Sequence, residues 1–94
     1  MDESGALLFV PTKEFDRDMK RMVRRGLDID RLEWTIGQLL HGELLPRSMR
    51  DHALFGEYLG FRECHVRPDW LFIYRLEGRK LIAARTGSHA DLFG

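Results

Sequence analysis

The chain is short of cysteine, of charge bias and of long apolar runs, and each shortage closes off a class of protein. One cysteine, Cys64, among 94 residues rules out an internal disulfide framework. A lone cysteine is more often core filler than nucleophile, and a chain without disulfides suits a reducing compartment, so a cytoplasmic protein is expected. No apolar run approaches the roughly 18 residues of a membrane span, and no signal peptide is visible. The 15 basic and 15 acidic residues cancel to a net charge of zero, unlike a protein that merely coats nucleic acid. Internal repeats, low-complexity tracts and interdomain linkers are absent as well. One soluble domain over residues 1–94 is the expectation, able to bury roughly 60–65% of its unfolded surface.

What is present reads as a short α+β fold. The apolar run ALLFV (6–10) is a first strand, broken by Pro11. Thr12 can cap a helix that runs to about Arg25, with Gly26 at its stop. Asp28 opens a second helix whose buried stripe is Ile29, Leu32, Ile36, Leu39 and Leu40, ended by Gly42 and Pro46. Residues 43–57 are irregular. Three strands follow at 58–66, 70–75 and 80–86, with turns at Arg67-Pro68-Asp69 and Glu77-Gly78-Arg79. The order β-α-α-β-β-β predicts a two-helix hairpin packed on one face of an antiparallel sheet.

Side chains alternate faces along a strand. Hairpins turning about Arg67-Pro68 and Glu77-Gly78 would put Glu63, His65, Trp70, Phe72, Tyr74 and Arg85 on one face, with His52 and His89 approaching from loops. Cys64, Val66, Leu71, Ile73, Ile82 and Ala84 would take the other. The second set is aliphatic and suits the helices; the first is aromatic and polar and suits a cleft. A one-residue slip would reverse the sorting.

Chemistry concentrates at the C-terminal end. RTGSHADLFG (85–94) brings an arginine, a histidine and a phenylalanine to a chain end, where order usually fades. Gly87 argues against a helix there, which leaves a functional tail folded onto the sheet or a frayed terminus. Of four histidines, His41 sits at a helix end and reads as structural, whereas His52, His65 and His89 fall near Asp69 and Arg85. Three histidines and a carboxylate could ligate zinc, but no tight spacing of the HExxH kind is present. RNA cleavage fits better. A 2′-hydroxyl attack on the adjacent phosphate needs a base, an acid and a cation for the phosphorane, and histidine and arginine supply these. Aromatic side chains hold splayed bases by stacking. In the first helix, Arg17, Lys20, Arg21, Arg24 and Arg25 fall on one side and Phe15, Met19, Met22 and Val23 on the other. That basic row is either a solvated face or a phosphate-facing ridge.

The segment DHALFGEYLGFRECHVRPDWLFIYR (51–75), followed by ARTGSHADLFG (84–94), resembles the YafQ branch of the RelE/ParE toxin superfamily. The resemblance spans about 7–94 and is most specific after Asp51, in the ordered set DH, HV, PDW, IY, RTGSH and LFG. It implies a type II toxin that enters the ribosomal A site, cuts mRNA there and is restrained by an antitoxin, expected to be of the ribbon-helix-helix type. No cofactor is implied. By motif, it implies functional positions at His52, His65, Asp69, Trp70, Arg85, His89 and Phe93. His89 would be the general acid and His65, helped by His52 or Asp69, the base. Arg85 would stabilise the phosphorane, and Trp70 and Phe93 would hold substrate. Glu63 stands where the branch can carry aspartate. With a neutral total charge, ribosome docking would lean on the basic row of the first helix. The alternative within the superfamily is a toxin of the ParE kind, which acts by binding DNA gyrase.

Overall fold

In the computed structural model residues 6–94 are described, so the first five residues of the expected domain lie outside it. The chain runs β1 (Leu8–Pro11), α1 (Lys13–Arg24), α2 (Ile29–Leu40), β2 (His52–Ala53), β3 (Arg62–Arg67), β4 (Trp70–Glu77), β5 (Lys80–Gly87) and α3 (His89–Phe93), with 3₁₀ turns at Arg47–Met49 and Gly56–Tyr58. Thr12 caps α1 as its spacing requires, its hydroxyl accepting from the Phe15 N–H at 3.0 Å. Gly26 ends that helix at φ +76°, a left-handed conformation that disfavours a side chain. Leu32 of α2 is fully buried, and Ile29, Ile36, Leu39 and Leu40 pack against the core from the same helix.

The five strands form one sheet in the order β1-β5-β4-β3-β2. All neighbours are antiparallel except β1 and β5, which run parallel. The sheet is therefore mixed rather than antiparallel. A lone strand with no hairpin partner beside it in sequence carries no signal of its direction. The expected strand at 58–66 begins only at Arg62, because Gly56–Tyr58 coil into a 3₁₀ turn.

Phe15, Met22 and Leu32 of the helices meet Cys64, Val66, Trp70, Phe72, Tyr74, Leu81 and Ala83 of the sheet in one buried cluster. The expected register is thus half right. In β3, His65 and Glu63 lie opposite the helices and Cys64 and Val66 beneath them. In β4 the sorting is reversed, with Trp70, Phe72 and Tyr74 in the core. The cause is a bulge. His65 pairs with Leu71 and Arg67 with Trp70, so Val66 is an extra residue and the turn is Pro68-Asp69. A second bulge follows in β5, where Ile73 pairs with Arg85 but Tyr74 with Ala83. That extra residue, Ala84, returns Arg85 to the open face after Ala83 has served the core. Ile82 and Ala84 accordingly line the open side with Tyr58 and Phe61, not the helix side. No helix among the described residues is long and apolar enough to cross a membrane.

Candidate active site

The open face of the sheet carries a curved row of rings. Phe61, Tyr58, Phe93, His89, His65 and His52 follow one another with centroid separations of 5.9, 5.9, 6.3, 5.9 and 6.3 Å. Four segments build this row. β2 places His52 opposite Glu63 of β3, so His52 stands on a strand and not on a loop. β3 supplies Glu63 and His65, two residues apart and on one face. The 3₁₀ turn and the residues after it supply Tyr58 and Phe61. The short helix α3 supplies His89 and Phe93, four residues apart and so on one side of it.

Glu63 lies between two imidazoles. Its Oε2 stands 3.3 Å from His52 Nε2 and 3.7 Å from His65 Nε2, and the residue is buried. The other ring nitrogens face backbone carbonyls: His52 Nδ1 that of Arg50 at 2.7 Å, His65 Nδ1 that of Pro68 at 3.3 Å. A carbonyl only accepts, so each Nδ1 carries hydrogen and each Nε2 is the nitrogen left for chemistry. Glu63 Oε1 is buried with no hydrogen-bond partner among the described residues. With a proton on one Nε2, Glu63 Oε2 can accept from that ring, and the carboxylate can pass the proton from one imidazole to the other.

The third histidine has a separate carboxylate. Asp69 Oδ1 accepts from the backbone N–H of His89 at 3.0 Å and from its Nδ1 at 2.9 Å. These two bonds, the backbone one first, hold the Asp69 carboxyl below its usual range. They also leave His89 Nε2 without a partner among the described residues.

Arg85 is pinned from behind. Asp18 of α1 is buried and takes Arg85 Nε at 2.7 Å on one oxygen and Nη2 at 3.1 Å on the other. The same carboxylate accepts the buried Thr86 N–H at 3.1 Å. Thr86 in turn accepts from Trp70 Nε1 at 2.9 Å and donates to the Leu71 carbonyl at 2.7 Å. Trp70, expected at the substrate, is therefore a core residue 3% exposed, with its N–H already satisfied. Phe93 is half exposed.

The basic row of α1 divides. Arg17, Lys20 and Arg24 have no ion-pair partner among the described residues, whereas Arg25 and Arg21 face Asp91 of α3. Val23, expected on the apolar side, is exposed, and Asp18 takes a buried position with Phe15 and Met22. Their spacing of three and seven residues was a readable sign that Asp18 points inward. His41 donates to the Gly37 carbonyl at the end of α2 and has no part in the row.

The sequence model described as "Bacterial toxin of type II toxin-antitoxin system, YafQ" matches residues 7–94. The chain belongs to the YafQ family of type II toxins. A relative in Escherichia coli K12 named mRNA interferase toxin YafQ is 39% identical over 82 residues, covering 86% of this chain and 89% of the relative. Among solved structures, YafQ in the E. coli DinJ–YafQ toxin–antitoxin complex superposes with a TM-score of 0.85 at 36% identity, over 92% of this chain and 96% of that one. A metal-bound toxin from Helicobacter pylori superposes with a TM-score of 0.87 at 37% identity, over 93% and 99%. In the present chain no three His, Cys, Asp or Glu side chains among the described residues are arranged to hold a metal ion. Two of the histidines instead turn Nε2 toward a single Glu63 oxygen, and the third is committed to Asp69.

Proposed function

We propose that this chain is the toxin of a cytoplasmic type II toxin–antitoxin pair and cuts mRNA in the ribosomal A site without a metal. It is an mRNA interferase, the activity for which its curated relatives are named. One observation carries the mechanism: three imidazoles stand in series, two backed by Glu63 and the third by Asp69.

The ribose 2′-oxygen attacks the neighbouring phosphorus. His65 Nε2 takes the 2′-hydroxyl proton, with His52 and Glu63 able to share it. The bond from phosphorus to the 5′-oxygen breaks, and His89 Nε2 protonates the leaving oxygen. The acid is the His89 imidazolium: its Nδ1–H is held by Asp69 and its Nε2–H is the proton given to the leaving oxygen. Arg85, aligned by Asp18, stabilises the charged phosphorane. Phe93, backed by Tyr58, stacks on a base splayed from the strand. The products are a 2′,3′-cyclic phosphate and a 5′-hydroxyl.

Arg17, Lys20 and Arg24 of α1 contact ribosomal phosphates. A ribbon-helix-helix antitoxin restrains the toxin, its otherwise disordered segment folding over the toxin surface. Mapping the cleaved ends on programmed ribosomes tests the chemistry. A cyclic phosphate, and full activity in EDTA under conditions that keep ribosomes intact, are expected. A 3′-hydroxyl product, or a strict metal requirement, would overturn the reading.

A further inference from the structure

The helix that delivers His89 and Phe93 has only five residues, and none of them is buried. Isolated helices shorter than about 12–15 residues are marginal in water, so α3 must be held by something other than its own turns. Apolar contact is limited, with Leu92 only half-buried and Phe93 edge-on to Tyr58. Polar ties are more numerous, and most converge on Asp91. Its side chain accepts the Ser88 N–H at 2.9 Å, while the Ser88 hydroxyl accepts the Asp91 N–H at 3.1 Å, a reciprocal capping box. The same carboxylate receives Arg25 Nη1 at 2.6 Å and Nη2 at 2.8 Å, one on each oxygen, with Arg21 Nη1 at 3.5 Å. Beneath it Gly87 leaves no room to spare: a Cβ there would stand 2.9 Å from the Asp91 Cβ.

We infer that Arg25 is a positioning residue of the active site, its guanidinium gripping Asp91 and so docking the helix that carries His89 and Phe93. The inference rests on the nuclease reading above and takes Arg25 out of the ribosome-facing row. The fork geometry matters, because two parallel N–H···O bonds fix orientation as well as distance. The guanidinium also holds the Asp91 carboxyl far below the usual range, so the grip is closed at neutral pH.

Arg25→Lys separates the two roles. Lysine keeps the charge that a phosphate would feel but cannot make the paired bonds. Arg25→Lys, Arg25→Ala and Asp91→Asn are each expected to lower the single-turnover cleavage rate on saturating programmed ribosomes by about tenfold to about a hundredfold. KM should change little. The double variant Arg25→Ala/Asp91→Asn should be no slower than the slower single variant. Amide exchange at Leu92 and Gly94, which bond to the carbonyls of Ser88 and Ala90, should speed up in all of them while exchange in β4 stays slow. Arg25 is exposed and Asp91 lies outside the core cluster, so the fold survives these changes. If Arg25→Lys cleaved at the wild-type rate, or the two single effects multiplied in the double variant, the clamp would be overturned. A wild-type chain that failed to cut mRNA would sink the nuclease reading alone. The exchange of α3 would still decide the clamp.

Discussion

Asp18 offers the most direct test of how the site is built. The residue belongs to a helix full of cations, yet its carboxylate is buried and accepts three hydrogen bonds, from Arg85 Nε, Arg85 Nη2 and Thr86 N–H. Asp18→Ala leaves the buried Thr86 N–H unpaired, at a cost of about 1–3 kcal/mol. It also removes charge-assisted bonds to Arg85 worth about 1.5–3 kcal/mol, part of which water restores because the arginine side chain is 25% exposed. The expected total is about 3–5 kcal/mol, the range for a buried pair that loses one partner. In a domain of this size that lowers Tm by at least about 12 °C. Asp18→Asn should fall between wild type and alanine. One Asp18 oxygen accepts both Arg85 Nε and Thr86 N–H, and an amide oxygen can replace it, but the amide NH₂ then confronts Arg85 Nη2. Urea unfolding gives the stability. Cleavage by the folded fraction gives the catalytic effect, expected to drop by about tenfold or more because Arg85 is no longer aimed. A loss under about 1 kcal/mol for Asp18→Ala, or undiminished cleavage, would show that Arg85 holds its position without this carboxylate.

Three further outcomes follow from the same geometry. Trp70→Phe should cost about 1–3 kcal/mol through the lost bond to Thr86 and a small void, with cleavage per folded molecule unchanged; a selective loss of activity would return Trp70 to the substrate. Replacing Arg17, Lys20 and Arg24 together by alanine should weaken ribosome association and flatten its salt dependence by roughly 2–3 in the log–log slope, and an unchanged slope would make them a solvated face. The carboxyls of Asp69 and Asp91 both titrate below their ordinary value in the folded protein. Their contribution is therefore fully present above about pH 4 and is lost as pH falls through the lower folded values. Hydrogen exchange should find α3 docked from pH 7 down to about 4. Release already at pH 5 would point to another group.

Periodicity and punctuation made most of the fold legible. Thr12, Gly26 and the stripe from Ile29 to Leu40 set the helices, and Glu77-Gly78-Arg79 set the last hairpin. What escaped was local and had a physical cause. A bulge adds a residue without changing composition, so alternation through Val66 and Ala84 put Trp70, Phe72, Tyr74, Ile82 and Ala84 on the wrong faces. Gly87 argued against a terminal helix, but the helix starts after it, and the cap signature was present as Ser88-x-x-Asp91. The histidines were found by residue type and by motif. Asp69 was found with them but expected to help His65, whereas it bonds His89, and Glu63 meets His52 only through the pairing of β2 with β3.

Three aspartates are spent internally on arginines: Asp18 on Arg85, Asp91 on Arg25 and Asp51 on Arg62, the last bonded also to the Tyr74 hydroxyl. Each pair ties a site-bearing segment to something else. Asp18 joins β5 to α1, Asp91 joins α3 to α1, and Asp51 joins the entry to β2 to β3 and the core. Each aspartate is less exposed than the arginine it meets, so these bonds position more than they decorate the surface. These pairs leave the net charge at zero; what they decide is how the segments that carry the candidate site are held. Arg17, Lys20 and Arg24, which have no ion-pair partner among the described residues, stand on the same helix that aligns Arg85 and docks α3. If they do contact ribosomal phosphates, docking and alignment share one rigid element, and loosening α1 should impair binding and chemistry together.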